Sequence, residues 1–118
     1  MILVVDDEEY VAKLAKAILN RSGFEVAIAR TGKAALDTVR EKAGKVALTL
    51  LDVRMPDIDG LSLLPLLREA DPKMKVILTS GYIGENVLSQ FDQEVGFLQK
   101  PFNVDGLNAA VEAALNPA

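Results

Sequence analysis

Met1-Ile2-Leu3-Val4-Val5-Asp6-Asp7-Glu8-Glu9 runs from an unbroken apolar stretch straight into four acids. Val11, Leu14, Ala15, Ile18 and Leu19 then fall at i, i+3, i+4, i+7 and i+8, one apolar face of a helix. A strand buried on both sides, a polar turn and an amphipathic helix make one β–α unit, and the same unit recurs along the chain. Apolar runs of strand length return at 24–29, 47–51, 75–79 and 95–98. Helical stripes separate or follow them: Ala35, Leu36 and Val39; Leu63, Leu64 and Leu67; Val87, Leu88 and Phe91; and Leu107, Ala110, Val111, Ala114 and Leu115. Strand–helix alternation at this spacing predicts an α/β fold, with five parallel strands joined by right-handed crossovers and five helices on both faces of a doubly wound sheet. Gly23, Gly44 and Asp71-Pro72 mark helix stops. Pro65 resists the pattern, since in a helix interior it costs about 3 kcal/mol, so the third helix is predicted to start near Ser62 or to kink.

The 118 residues, half of them hydrophobic, suit a single domain over 1–118 with no linker or repeat. Neither cysteine nor histidine occurs. Thiol catalysis, histidine triads, the common zinc sites, haem ligation and iron–sulfur clusters are thereby excluded. A net charge of −4 favours solubility and argues against a duplex-binding face. The apolar start meets Asp6 too soon for a signal peptide or a membrane span, which predicts a cytoplasmic protein.

In an open parallel sheet, ligands bind beyond the carboxyl ends of the strands. Asp6 and Asp7 follow the first apolar run, Asp52 the third and Ser80 the fourth, while the fifth leads into Lys100-Pro101. Each alone has a local explanation, because Asp and Ser favour helix caps and turns. Asp7 is a candidate cap for the first helix and Asn103 for the last. Asp57 and Asp59 read as turn formers, and Glu8, Glu9 and Glu85 as acids near helix starts. As a set they resist that account, since Asp6, Asp7 and Asp52 would repel one another without a cation. An all-oxygen site suits magnesium ahead of manganese or calcium. An EF-hand reading of Asp57-Ile58-Asp59-Gly60 fails, because Met55 and Leu66 would fall at ligand positions. No phosphate-cradling glycine motif occurs either. Magnesium, a carboxylate, a hydroxyl and a lysine together serve phosphoryl transfer to a carboxylate. Asp52 is the best nucleophile, alone at the end of the expected central strand, with Asp6 and Asp7 the pair suited to a metal.

Val4-Val5-Asp6-Asp7, Leu51-Asp52-Val53-Arg54-Met55-Pro56 with Gly60, Leu78-Thr79-Ser80-Gly81 and Lys100-Pro101-Phe102 stand in an order and spacing that resembles the receiver domains of bacterial two-component response regulators, chemotaxis receivers included. The resemblance covers nearly the whole chain and implies the flavodoxin-like strand order 2-1-3-4-5. It also implies that Asp52 is the phosphorylated residue. Asp7, Asp52 and the backbone carbonyl of Arg54 would be direct Mg2+ ligands, with Asp6 acting through water. Ser80 would be the switch hydroxyl, Phe97 the switch aromatic and Lys100 the phosphate-binding lysine, preceding a cis peptide bond at Pro101. Phosphorylation would then reshape the face made by the fourth and fifth helices and the fifth strand, where an output domain or partner would bind. Ser80 replaces a common threonine and Phe97 a common tyrosine, while Arg54 and Tyr82 hold variable flanking positions. Ser80-Gly81-Tyr82 is similar to receivers attached to hybrid sensor kinases.

With no histidine in the chain, the phosphoryl donor must be a separate histidine kinase or histidine phosphotransfer domain, or another part of a longer protein. Tyr10, Val11 and Leu14 are its predicted docking edge, with core packing the alternative for Val11 and Leu14. Such a domain is a regulatory phosphoacceptor that catalyses only its own phosphorylation and dephosphorylation. Two other readings compete. An aspartate-nucleophile phosphohydrolase resembling the haloacid dehalogenase superfamily would use Asp6, but Glu8 stands where that family wants a second aspartate. A phosphorylation-incompetent interaction module is at odds with the intact Asp6, Asp7, Asp52, Ser80 and Lys100 set.

Overall fold

Along β1 (Ile2–Val5), alternate side chains enter different cores. Ile2 and Val4 join one apolar cluster, and Leu3 and Val5 join another on the opposite face. A strand buried on both sides has no solvent face to keep polar, so the run is uninterrupted. The computed structural model describes residues 1–81 and 95–116. After β1 come α1 (Glu9–Arg21), β2 (Val26–Ala29), α2 (Gly32–Glu41), β3 (Leu48–Asp52), α3 (Gly60–Ala70), β4 (Lys75–Ser80), β5 (Gly96–Gln99) and α4 (Val104–Leu115). The helix predicted around Val87, Leu88 and Phe91 lies outside the described residues, as do Tyr82 and Glu85.

All strand pairings are parallel and the order is β2-β1-β3-β4-β5, as the resemblance implied. One face packs α2 and α3 through Ala35, Val39, Leu63, Leu64 and Leu67. The other packs α1 and α4 through Ala12, Ala15, Ile18, Leu19, Leu107 and Val111. No helix among the described residues is long and apolar enough to cross a membrane.

Strand ends differ from the sequence reading by one or two residues, and the ladder explains the direction. Asp52 pairs with Thr79 and Ser80 with Gln99, so both polar residues continue their strands where hydropathy alone ends them. Gly23 (φ 95°) and Gly44 (φ 81°) take the left-handed conformation that glycine adopts without strain, and both close helices as predicted. Pro65 lies inside α3, which starts at Gly60 and not near Ser62. Asp59 caps that earlier start, accepting the Ser62 N–H at 2.7 Å, and the Gly60 N–H donates to the Val53 carbonyl at 2.7 Å. Burial of Leu63, Leu64 and Leu67 offsets the hydrogen bond that proline withholds. Asn103 caps α4 as expected, through the Gly106 N–H at 2.7 Å. Lys100-Pro101 is cis.

Candidate functional site

Because the strands are parallel, β1, β3, β4 and β5 deliver the residues at their carboxyl ends to one edge. There Asp6 and Asp52 are nearly inaccessible, at 3% and 4% exposure. Carboxylate oxygens of Asp6, Asp7 and Asp52 lie within 4.8 Å of one another. The Lys100 ammonium sits between two of them, 2.7 Å from Asp6 Oδ2 and 3.3 Å from Asp52 Oδ2. The sheet sets that position, since the Lys100 N–H donates to the Ser80 carbonyl at 2.8 Å just past the β4–β5 ladder. Asp52 Oδ1 accepts the Arg54 N–H at 3.2 Å and Asp6 Oδ1 the Glu8 N–H at 2.9 Å. A cavity of about 630 Å³ opens over this cluster, lined by Asp7, Asp52, Arg54, Ser80 and Lys100, with Tyr10 exposed on its rim.

Burial pushes the Asp52 carboxyl up to about 6, against the Lys100 charge and the Arg54 N–H that favour its ionised form, while the Asp6 charge adds to the rise. Burial pulls Lys100 down, but its hydrogen bond to Asp6 and the charges of Asp52 and Asp6 outweigh that and leave it raised. Lys100 is thus a firm cation facing three carboxylates, and the excess negative charge on hard oxygen donors is what a divalent cation such as magnesium neutralises.

The predicted Asp6, Asp7, Asp52, Arg54, Ser80 and Lys100 therefore converge. Phe97 does not border the cavity; it pairs with Leu78 and is half-buried against the α2–α3 core. Asp7 is not the cap of α1. Glu8 holds that place without a side-chain bond, and the nearby acceptor is Asp6. Three features escaped the sequence reading. Glu8 Oε1 approaches Lys100 at 3.8 Å. Arg30 Nη2 donates to the Asp7 carbonyl at 3.1 Å. Asp57, read as a turn former, accepts from the Gly32 and Lys33 N–H groups at 2.9 and 3.1 Å, and these two donors hold its carboxyl below the usual range. None has a local signal, since each pairs separate loops.

A family model described as the response regulator receiver domain matches residues 2–112. The sensor kinase CckA of Brucella abortus is 35% identical over 97% of this chain, which spans only 12% of that kinase. Sporulation initiation phosphotransferase F of Bacillus subtilis is 33% identical, with 97% of this chain and 92% of that protein covered. Among solved structures, a response regulator from Burkholderia pseudomallei with a phosphorylated aspartic acid, a calcium ion and citrate is 28% identical, with a TM-score of 0.82 over 99% of this chain and 74% of that one. Fold, site geometry and these relatives agree: the chain belongs to the receiver domains of two-component response regulators.

Proposed function

We propose that the chain, residues 1–118, is a phosphoacceptor unit in which Asp52 takes a phosphoryl group from a phosphohistidine of a histidine kinase or phosphotransfer partner. The observation that carries this reading is the Lys100 ammonium held between Asp6 and Asp52 under an open cavity. An Asp52 carboxylate oxygen forms the new bond to phosphorus, and the electron pair of the breaking P–N bond leaves with the imidazole. With its carboxyl near 6, Asp52 is mostly ionised at neutral pH and ready to attack. Lys100 then holds one phosphoryl oxygen and the Ser80 hydroxyl donates to another. Magnesium, held by Asp7, Asp52 and the Arg54 carbonyl with Asp6 acting through water, would neutralise charge on the nucleophile and the incoming group. Drawing Ser80 toward the phosphoryl group frees space into which Phe97 turns, reshaping the face made by β5 and α4. The donor reaches the cavity past Tyr10 and Leu14, 76% and 37% exposed on α1.

The test is incubation with magnesium and acetyl phosphate, borohydride trapping of the acyl phosphate and mapping of the labelled residue. Label at Asp52, lost in Asp52→Asn, is the expected result. Label at Asp6 would mean a hydrolase instead. No label from acetyl phosphate or from a phosphorylated histidine donor would leave an interaction module.

A further inference from the structure

The loops that carry the acidic cluster are tied to a common neighbour, the turn from Arg30 to Lys33 between β2 and α2. On one side Arg30 Nη2 donates to the Asp7 backbone carbonyl at 3.1 Å. On the other, Asp57 of the loop after β3 takes the Gly32 N–H on Oδ1 at 2.9 Å and the Lys33 N–H on Oδ2 at 3.1 Å. Thr31 Oγ1 takes the Ala34 N–H at 3.0 Å, and the Ala35 N–H already reaches the Thr31 carbonyl. Every N–H of the first turn of α2 is thus satisfied, two of them by a residue from a distant loop. The fit is close, since a Cβ on Gly32 would run into Ile58 Cγ2. A helix with Thr31 as its own cap does not need Asp57 in order to start. What Asp57 adds is a two-point, charge-assisted anchor for residues 53–59, whose far end is closed by the Gly60 N–H on the Val53 carbonyl.

We infer that Asp57 and Arg30 are positioning residues: through the Arg30–Lys33 turn they hold the Asp7 and Arg54 backbones at the separation a divalent cation needs between them. The inference rests on the metal-dependent reading proposed above. Neither side chain touches the cation or the phosphoryl group; both act through the backbone they fix. Groups beyond the direct ligands characteristically set metal affinity, and their loss lowers it roughly tenfold or more.

The test is a magnesium titration of the wild type, Asp57→Ala, Asp57→Asn and Arg30→Ala, read as the thermal midpoint without any phosphoryl donor and as the rate of Asp52 labelling by acetyl phosphate. The expected result is a roughly tenfold rise in half-saturating magnesium in Asp57→Ala by both readouts, with the labelling rate at saturation little changed. Asp57→Asn, which keeps an acceptor for one N–H, should fall between, and Arg30→Ala should shift in the same direction. If Asp57→Ala only lowers the metal-free midpoint and keeps wild-type half-saturation, Asp57 is a helix cap and the inference fails. Should Asp57→Ala not fold, wild-type half-saturation in both Asp57→Asn and Arg30→Ala overturns it equally. A wild type with neither a magnesium-dependent midpoint nor label at Asp52 overturns the functional reading, and this one with it.

Discussion

In the function proposed above, Asp52 is asked to be two things, a buried group in the native fold and a charged nucleophile. Burial raises its carboxyl from 3.8 to about 6, so between those pH values the unfolded chain releases this proton while the native chain keeps it. The contribution to stability is therefore complete below about pH 4 and is lost as pH rises through 6. That rise corresponds to about 3 kcal/mol. Asp52→Asn removes the titration. In metal-free buffer it should be more stable than wild type at pH 8, by about 1–3 kcal/mol, and the gap should shrink toward pH 4; urea denaturation across that range checks it. A constant gap would show that the Lys100 pairing offsets burial, and a variant less stable at pH 8 that it outweighs burial. Lys100 itself was legible in the sequence because it follows an apolar run, as Asp6, Asp52 and Ser80 do. Arg30 and Asp57 were not, because their partners are backbone atoms of loops 23 to 25 residues away.

At the scale of elements, α3 shows how tertiary contacts overrule propensity. Proline in a helix interior carries a cost, yet the helix begins earlier than that cost alone predicts. Asp59 and the Val53 carbonyl fix its start, and its buried leucines hold it down. Pro65 is exposed, so Pro65→Ala gives the Leu61 carbonyl its missing donor without disturbing the core. A stabilisation of about 1–3 kcal/mol is expected, partly offset by the freer unfolded chain, and is measurable by chemical denaturation. Gly60→Ala should do the opposite. Its Cβ would lie 2.6 Å from the Asp52 carbonyl oxygen and 2.9 Å from Val53 Cα, backbone atoms that cannot step aside. A loss of about 1–3 kcal/mol is expected, together with weaker magnesium-dependent labelling of Asp52. The strands were legible as unbroken apolar runs and the helices as stripes of period 3.6; their ends were not, because a ladder partner can carry Asp52 or Ser80 into a strand.

For the whole molecule, alternation alone specifies parallel strands and crossovers but leaves several strand orders open. The order came from the resemblance to a family, and with it the placing of β1 and β3 side by side, so that Asp6, Asp7 and Asp52 meet. Bringing those charges together opposes folding, and a cation bound as proposed would relieve it. A chelator should therefore lower the thermal midpoint. Magnesium at a hundred times its dissociation constant should restore about 2.7 kcal/mol, a rise of roughly 10 °C for a chain of this length. The shift should be largely absent in Asp52→Asn. The missing side chain at Gly60 has a mechanical meaning as well. With a helix start seated directly on the Asp52 and Val53 backbone, the joint between strand and helix has no slack. A displacement of the Asp52 backbone should therefore carry the start of α3 with it, and a reporter on Leu66, 38% exposed on that helix, should register the movement.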